Sequence, residues 1–184
     1  MYNIGDKIQV VVTEITNALK DISHDESHGL VENILNAEKV VVCGAGRVGL
    51  ASKAFAMRLG HLGLNSWFLG DSTVPCIGKN DLLIVASGSG ETQTIYDIVK
   101  RANENGCRIC LLTCNPDSRI GKLADHVVVM GASSKHDVNR KSVQPMTTLN
   151  EQSLMVLYDS IVLLMMDHMG ESHESMWERH SNLE

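Results

Sequence analysis

The feature that most constrains this chain is the apolar run Leu82-Leu83-Ile84-Val85-Ala86, which passes directly into Ser87-Gly88-Ser89-Gly90-Glu91-Thr92. Five consecutive apolar residues without alternation describe a strand buried on both faces, the kind found in parallel sheets covered by helices. The loop after such a strand lies at the carboxyl edge of the sheet, where open α/β folds bind their ligands. Gly88 and Gly90 permit tight turns and close approach of backbone, while Ser87, Ser89 and Thr92 contribute hydroxyl donors. A helical pattern from Gln93 to Asn105, ended by Gly106, directs free N–H groups and a positive dipole end at the same spot. The stretch predicts a phosphate cradle. Taken without the strand before it, the same hexapeptide also reads as a serine-rich turn with Thr92 as an ordinary helix N-cap.

The 184 residues suffice for one domain with its own core, with N-terminal helices at about 4–36, an α/β core at about 38–130 and C-terminal helices at about 147–178. A formal charge of −6 argues against a nucleic-acid partner and for a small-molecule ligand. Asp6, Lys7 and Glu14 interrupt the region where a signal peptide would carry its apolar stretch. The run from Leu154 to Met166 contains Asp159 and is too short to span a bilayer, so the expected location is the cytoplasm, with no membrane partner. Five cysteines, an odd number, fit a reducing compartment.

Cys107, Cys110 and Cys114 do not make a metal site. On a strand, residues three apart face opposite ways, and Cys110 and Cys114 lie roughly 13 Å apart on one face. His24 and His28 have helical i, i+4 spacing but no third ligand, and read as a solvated helix face.

Strand-like runs recur at 38–43, 66–69, 82–86, 107–113 and 125–130, with helical patterns between several of them. This alternation predicts a five-stranded parallel sheet covered on both faces, a three-layer α/β/α sandwich, joined by right-handed crossovers. Two amphipathic helices precede it, marked by Ile8, Val11, Val12, Ile15, Leu19 and Ile22 and then by Leu30, Val31, Ile34 and Leu35. A second glycine loop, Gly44-Ala45-Gly46-Arg47-Val48-Gly49, follows the first strand with the spacing of a dinucleotide fingerprint. Asp71 stands in range to hold a ribose, yet the serine-rich loop on another strand points to a phosphate ligand rather than to nicotinamide. Residues 131–145 are polar and are expected to form a loop running over the cleft between the two glycine loops. From Thr148 to Met169 apolar residues cover most of a helix circumference, which predicts a buried helix and, in so small a chain, a subunit interface.

Several segments together carry a resemblance. They are Gly44-Ala45-Gly46-Arg47, Ala54-Phe55-Ala56-Met57-Arg58-Leu59 with His61-Leu62-Gly63, the cradle, Asn115-Pro116-Asp117-Ser118, Gln144-Pro145-Met146, and the ending Arg179-His180-Ser181-Asn182-Leu183-Glu184. In this combination the chain resembles the 6-phospho-3-hexuloisomerase family of the sugar isomerase (SIS) domain superfamily. The resemblance implies a flavodoxin-like sheet, a homotetramer with sites between subunits, and interconversion of D-arabino-hex-3-ulose 6-phosphate with fructose 6-phosphate. It implies that Ser87, Gly88, Ser89, Gly90 and Thr92, with Arg47, hold the sugar phosphate and that Glu151 is the base. His61 and His180 are candidates to shuttle protons between oxygens, since imidazole titrates near neutrality; each reads equally as a hydrogen-bonded structural histidine. Neither metal nor redox cofactor is needed for such a proton transfer.

The chain departs from the family in two places. Val48 stands where a serine is common, and Asn150 stands where phenylalanine usually precedes the glutamate. These departures leave open an isomerase of another phosphosugar. A non-catalytic phosphosugar sensor is also open, although no basic helix-turn-helix segment accompanies it here.

Overall fold

The computed structural model describes residues 3–132 and 142–183. Most of the expected loop at 131–145 therefore lies outside the described residues. Helices α1 (Ile4–Leu19) and α2 (His24–Leu35) lead into β1 (Val40–Gly44), α3 (Gly46–His61), β2 (Ser66–Phe68), β3 (Leu82–Ala86), α4 (Gln93–Glu104), β4 (Arg108–Thr113) and β5 (His126–Val129). The long α5 (Thr148–Met169) and short α6 (His173–Glu178) complete the fold. All strand pairs are parallel, in the order β2-β1-β3-β4-β5. This is the flavodoxin-like order, whose direction of winding reverses between β1 and β3.

The unbroken apolar runs form the centre of the sheet for the reason the sequence suggests. Every residue of β3 is buried, and alternate residues feed two separate cores. Val40, Val42, Leu82, Ile84, Cys110 and Leu112 face α2, α3 and α5, whereas Val41, Cys43, Leu83, Val85, Ile109 and Leu111 face α4. The two faces are covered unequally. No helix follows β2 among the described residues, and Leu69, Val74 and Ile77 of that connection pack on the α4 side instead. Cys107 and Cys110 fall in opposite cores, as strand alternation requires. His24 and His28 stack with ring centroids 4.0 Å apart on the exposed side of α2.

Helix α3 starts at Gly46, whose φ of +59° lets the chain turn from strand into helix, while the close approach of helix to strand falls at Gly49. A Cβ on Gly49 would come within 2.6 Å of the Gly44 carbonyl oxygen, so no larger residue fits there without moving helix from sheet. Helix α5 is buried along one stripe only: Asn150, Ser153, Leu154, Leu157, Tyr158, Ile161, Val162 and Met165. Val156, Leu163 and Leu164 remain exposed on its other side, and Ile4, Ile8 and Val12 form an exposed row on α1, which packs on α5. The full circumference of α5 is therefore not covered within one chain.

Phe55 of α3 stacks on Tyr158 of α5 at 4.1 Å and joins these helices beneath the sheet edge that carries the glycine loops. Phe55→Ala removes a fully buried ring from this junction and is expected to cost about 3–5 kcal/mol. Urea denaturation of the variant beside wild type measures it.

Candidate active site

The register between β1 and β3 brings the two glycine loops together. Val40 is level with Leu82 and Gly44 with Ala86, so both loops leave the sheet side by side, about 4.8 Å apart at neighbouring strands. Between them, and closed by the first turn of α5, lies a cleft of about 370 Å³, within the range of small-molecule sites. Its walls are Gly46, Arg47 and Val48 from the first loop, Ser87, Gly88, Ser89 and Thr92 from the second, and Met146 to Thr148, Asn150 and Glu151 from the start of α5.

The second loop is held from below by β4 and the turn after it. Ser87 N donates to Leu112 O at 3.1 Å, and Cys114 N and Thr113 Oγ1 donate to Gly88 O at 3.0 and 3.3 Å. Gly90 has φ +64°, and a Cβ there would collide with the Ser118 side chain. The Asn115–Ser118 turn thus lies flush under the loop, and only glycine satisfies both its backbone conformation and its clearance. Gly90 shapes the cradle without lining the cleft.

Two hydroxyls of this loop are left for a ligand. Ser87 is 5% exposed, and its Oγ has no hydrogen-bond partner among the described residues. Thr92 occupies the N-cap position of α4, but its side chain makes no capping hydrogen bond. Thr92 is thus the N-cap residue by position, with its hydroxyl not spent on capping. Ser89 Oγ, by contrast, accepts from Glu91 N at 3.2 Å. A buried hydroxyl without a partner, beside uncapped helix N–H groups, forms an anion-binding concavity.

On the opposite wall Glu151 is 13% exposed and gripped from two sides. Thr147 Oγ1 donates to its Oε1 at 2.7 Å, and Arg47 Nε lies 3.2 Å from its Oε2. Arg47 also donates from Nη1 to Thr148 Oγ1 at 3.2 Å. Arg47 is the only Lys or Arg among the described residues that line the cleft, and its contacts run to the Glu151 wall rather than to the serine loop. The arrangement sets an anion cradle and a carboxylate across one small cavity, with a guanidinium beside the carboxylate.

The chain belongs to the SIS domain family. The family's pattern matches residues 33–163, which include both glycine loops and Glu151. A 3-hexulose-6-phosphate isomerase from Bacillus subtilis is 39% identical over 176 residues, covering 95% of each chain. One from Mycobacterium gastri is 37% identical, covering 99% of this chain and 92% of its own length. A solved structure from Methanococcus jannaschii, for which a function as 3-hexulose-6-phosphate isomerase was inferred, superimposes with a TM-score of 0.84. It is 28% identical and covers 97% of this chain and 99% of its own.

Among SIS-type residues expected at the site, the structure brings Glu151, Arg47, Ser87, Gly88, Ser89 and Thr92 around one cleft. It does not bring His61 and His180 there. These two face each other at 5.2 Å, at the end of α3 about 22 Å of helix rise from the glycine loop. His61 Nδ1 lies 3.2 Å from Arg58 Nη1, and the Arg179 guanidinium donates to the His61 carbonyl at 3.0 Å. A helix that starts at the cleft necessarily carries its last residue away from it. Asp71 is paired with Lys53 at 2.7 Å and lines a separate groove with Phe68, so it is not offered to a nucleotide ribose.

The two departures sit in the cleft itself. Val48 contributes an apolar wall, and Asn150 is buried with its amide flat against Gly88, where a glycine Cβ would come within 2.8 Å of Nδ2. The Cys114 thiol donates to Asn150 Oδ1 at 3.1 Å and fixes that amide from the β4 side. The sequence marks Asn150 as unusual but gives no sign of this contact, which joins residues 36 positions apart.

Gly88→Ala is expected to displace the Asn150 amide and destabilise the fold by about 1–3 kcal/mol. Adding Asn150→Ala should recover part of that loss. A double-mutant cycle by thermal denaturation reads the coupling, and strictly additive effects would contradict the contact.

Proposed function

We propose that this protein interconverts D-arabino-hex-3-ulose 6-phosphate and fructose 6-phosphate in the cytoplasm, with Glu151 as the acid–base group and the 87–92 loop as the phosphate anchor. The observation that carries this reading is the pairing, across one 370 Å³ cleft, of an anion cradle with a positioned carboxylate. The names of the relatives from Bacillus subtilis and Mycobacterium gastri support the same substrate.

The chemistry follows from the placement. The 3-keto sugar has its carbonyl at C3 and a hydroxyl at C2. Glu151 takes the proton from C2, and the electron pair left behind forms a C2–C3 double bond as the C3 oxygen gains negative charge. The O2 proton passes to O3 through the cis-enediol, Glu151 returns its proton to C3, and the carbonyl appears at C2. No electron leaves the substrate and no bond to the phosphate changes. A single carboxylate that can address two adjacent carbons is sufficient for both carbon-centred transfers.

Thr147 and Arg47 hold the two carboxylate oxygens of Glu151 in a fixed orientation. The Arg47 charge also lies where it stabilises an enediolate oxygen in the transition state. It is long and 58% exposed, and retains reach toward the phosphate. Ser87 Oγ, Thr92 Oγ1 and the first N–H groups of α4 receive the phosphate, which orients the reacting carbons from a distance. Val48 supplies no hydroxyl, so phosphate recognition rests on the second loop.

We further propose a homotetramer with sites between subunits. The exposed apolar residues Ile4, Ile8 and Val12 on α1 and Leu163 on α5 support self-association. His61 and His180, at the far end of α3, reach a cleft only if it belongs to another copy of the chain.

Glu151→Gln is expected to lower kcat by roughly 10²–10⁴-fold while fructose 6-phosphate still raises the melting temperature as in wild type. Ser87→Ala should lose both turnover and that thermal shift. Spectrophotometric detection of fructose 6-phosphate formation, with thermal melts in parallel, checks both. Full activity in Glu151→Gln would remove this carboxylate from the mechanism.

A further inference from the structure

We infer that Glu14, on the first helix, is a positioning residue that holds the cleft wall from which Glu151 acts. The inference rests on the isomerase reading above and extends it to an element that contributes nothing to the lining of the cleft.

Three donors from the segment just before α5 converge on this one carboxylate. Val143 N donates to Glu14 Oε1 at 2.9 Å, and Ser142 Oγ and Gln144 Nε2 donate to Oε2 at 2.8 and 3.0 Å. Gln144 N in turn donates to Ser142 Oγ at 2.9 Å, so the three residues fold around the carboxylate. Hydrogen bonds to an ionised acceptor are the strong class. Partial burial pushes the Glu14 carboxyl up, but the bonds from Val143, Ser142 and Gln144 outweigh it and hold it below its ordinary value.

A second observation concerns what the anchored segment must do next. Met146, two residues beyond Gln144, has φ +57°, the one left-handed non-glycine residue among those described. A side chain with a Cβ keeps that conformation only where its surroundings impose it. Met146 is 94% exposed, so its own side chain has little packing with which to impose it. The constraint comes from the two flanks. On one side stands the Glu14 anchor. On the other, Thr148 N and Oγ1 donate to Pro145 O at 3.2 and 2.7 Å, closing the turn onto α5.

From this turn the contacts pass directly to the reacting group. Thr147 holds Glu151 Oε1, and Thr148 holds the Arg47 guanidinium that faces Oε2. The path runs Glu14, residues 142–144, the Met146 turn, Thr147 and Thr148, Glu151. It bypasses the serine loop entirely. Loosening Glu14 should therefore disturb the carboxylate's aim while leaving the phosphate anchor in place.

The experiment compares the full-length wild type with Glu14→Gln and with Gln144→Leu, which cuts the same anchor from the other side. Hydrogen–deuterium exchange of peptides spanning 142–151 and 82–95 is measured together with steady-state kinetics on D-arabino-hex-3-ulose 6-phosphate. Glu14→Gln should speed exchange in 142–151 but not in 82–95, and lower kcat roughly 10-fold or more with KM within about twofold. Gln144→Leu should give the same signature, and the double variant should be less impaired than the product of the two singles. Unchanged exchange in 142–151 overturns the anchor, and so does unchanged kcat beside a loosened segment. If Glu14→Gln does not fold, Gln144→Leu decides alone. A wild type without turnover, in a chain whose 142–151 segment loosens in the variants, overturns the isomerase reading instead and leaves the anchor standing.

Discussion

The parallel register of β1 against β3 is the constraint on which the rest of the structure depends. With Gly44 level with Ala86, the two strand ends open their loops at the same height, at the point where the winding of the sheet reverses. A slip of one residue would turn both buried runs inside out, so the two cores on either side of the sheet fix the cleft's geometry as firmly as they fix the fold. The cleft follows from packing already in place. What the local sequence adds is clearance: Gly49 lets α3 approach β1, and Gly90 lets the serine loop rest on the Asn115–Ser118 turn.

The third wall depends on a different kind of interaction. Glu151 sits in the first turn of α5 and is oriented by short hydrogen-bonded and ionic contacts with Thr147 and Arg47. Asn150 packs its amide on Gly88 beside it, so the carboxylate wall and the cradle touch directly at one point. The inner stripe of α5, with Tyr158 stacked on Phe55, locks this wall to the rest of the domain. In the proposed reaction, that rigidity keeps one carboxylate within reach of two adjacent carbons.

Much of this was legible from sequence because it rests on local pattern. The apolar run 82–86 and the Ser-Gly-Ser-Gly loop after it announce a buried strand and its ligand edge, and the cysteine alternation on β4 follows from strand geometry alone. Contacts between distant residues were not legible. Nothing local in Glu14 signals Ser142, nearly 130 positions away, and nothing in His61 signals that it ends the helix whose first turn borders the cleft. The start of α3 at Gly46 is not legible because glycine carries no helical signal: Gly46 serves the turn with φ +59°, and Gly49 serves the approach to the strand. The all-round apolar pattern of α5 reads correctly as more surface than one chain buries, since Leu163 stays exposed.

The central claim is that one phosphosugar spans the cleft with its phosphate on the serine loop and its reacting carbons at Glu151. The most direct test is a crystal structure of the protein with fructose 6-phosphate bound. The account predicts phosphate oxygens within hydrogen-bond distance of Ser87 Oγ, Thr92 Oγ1 and the first N–H groups of α4, with C2 and C3 turned toward the Glu151 carboxylate. A phosphate bound elsewhere, or sugar carbons facing away from Glu151, would contradict it.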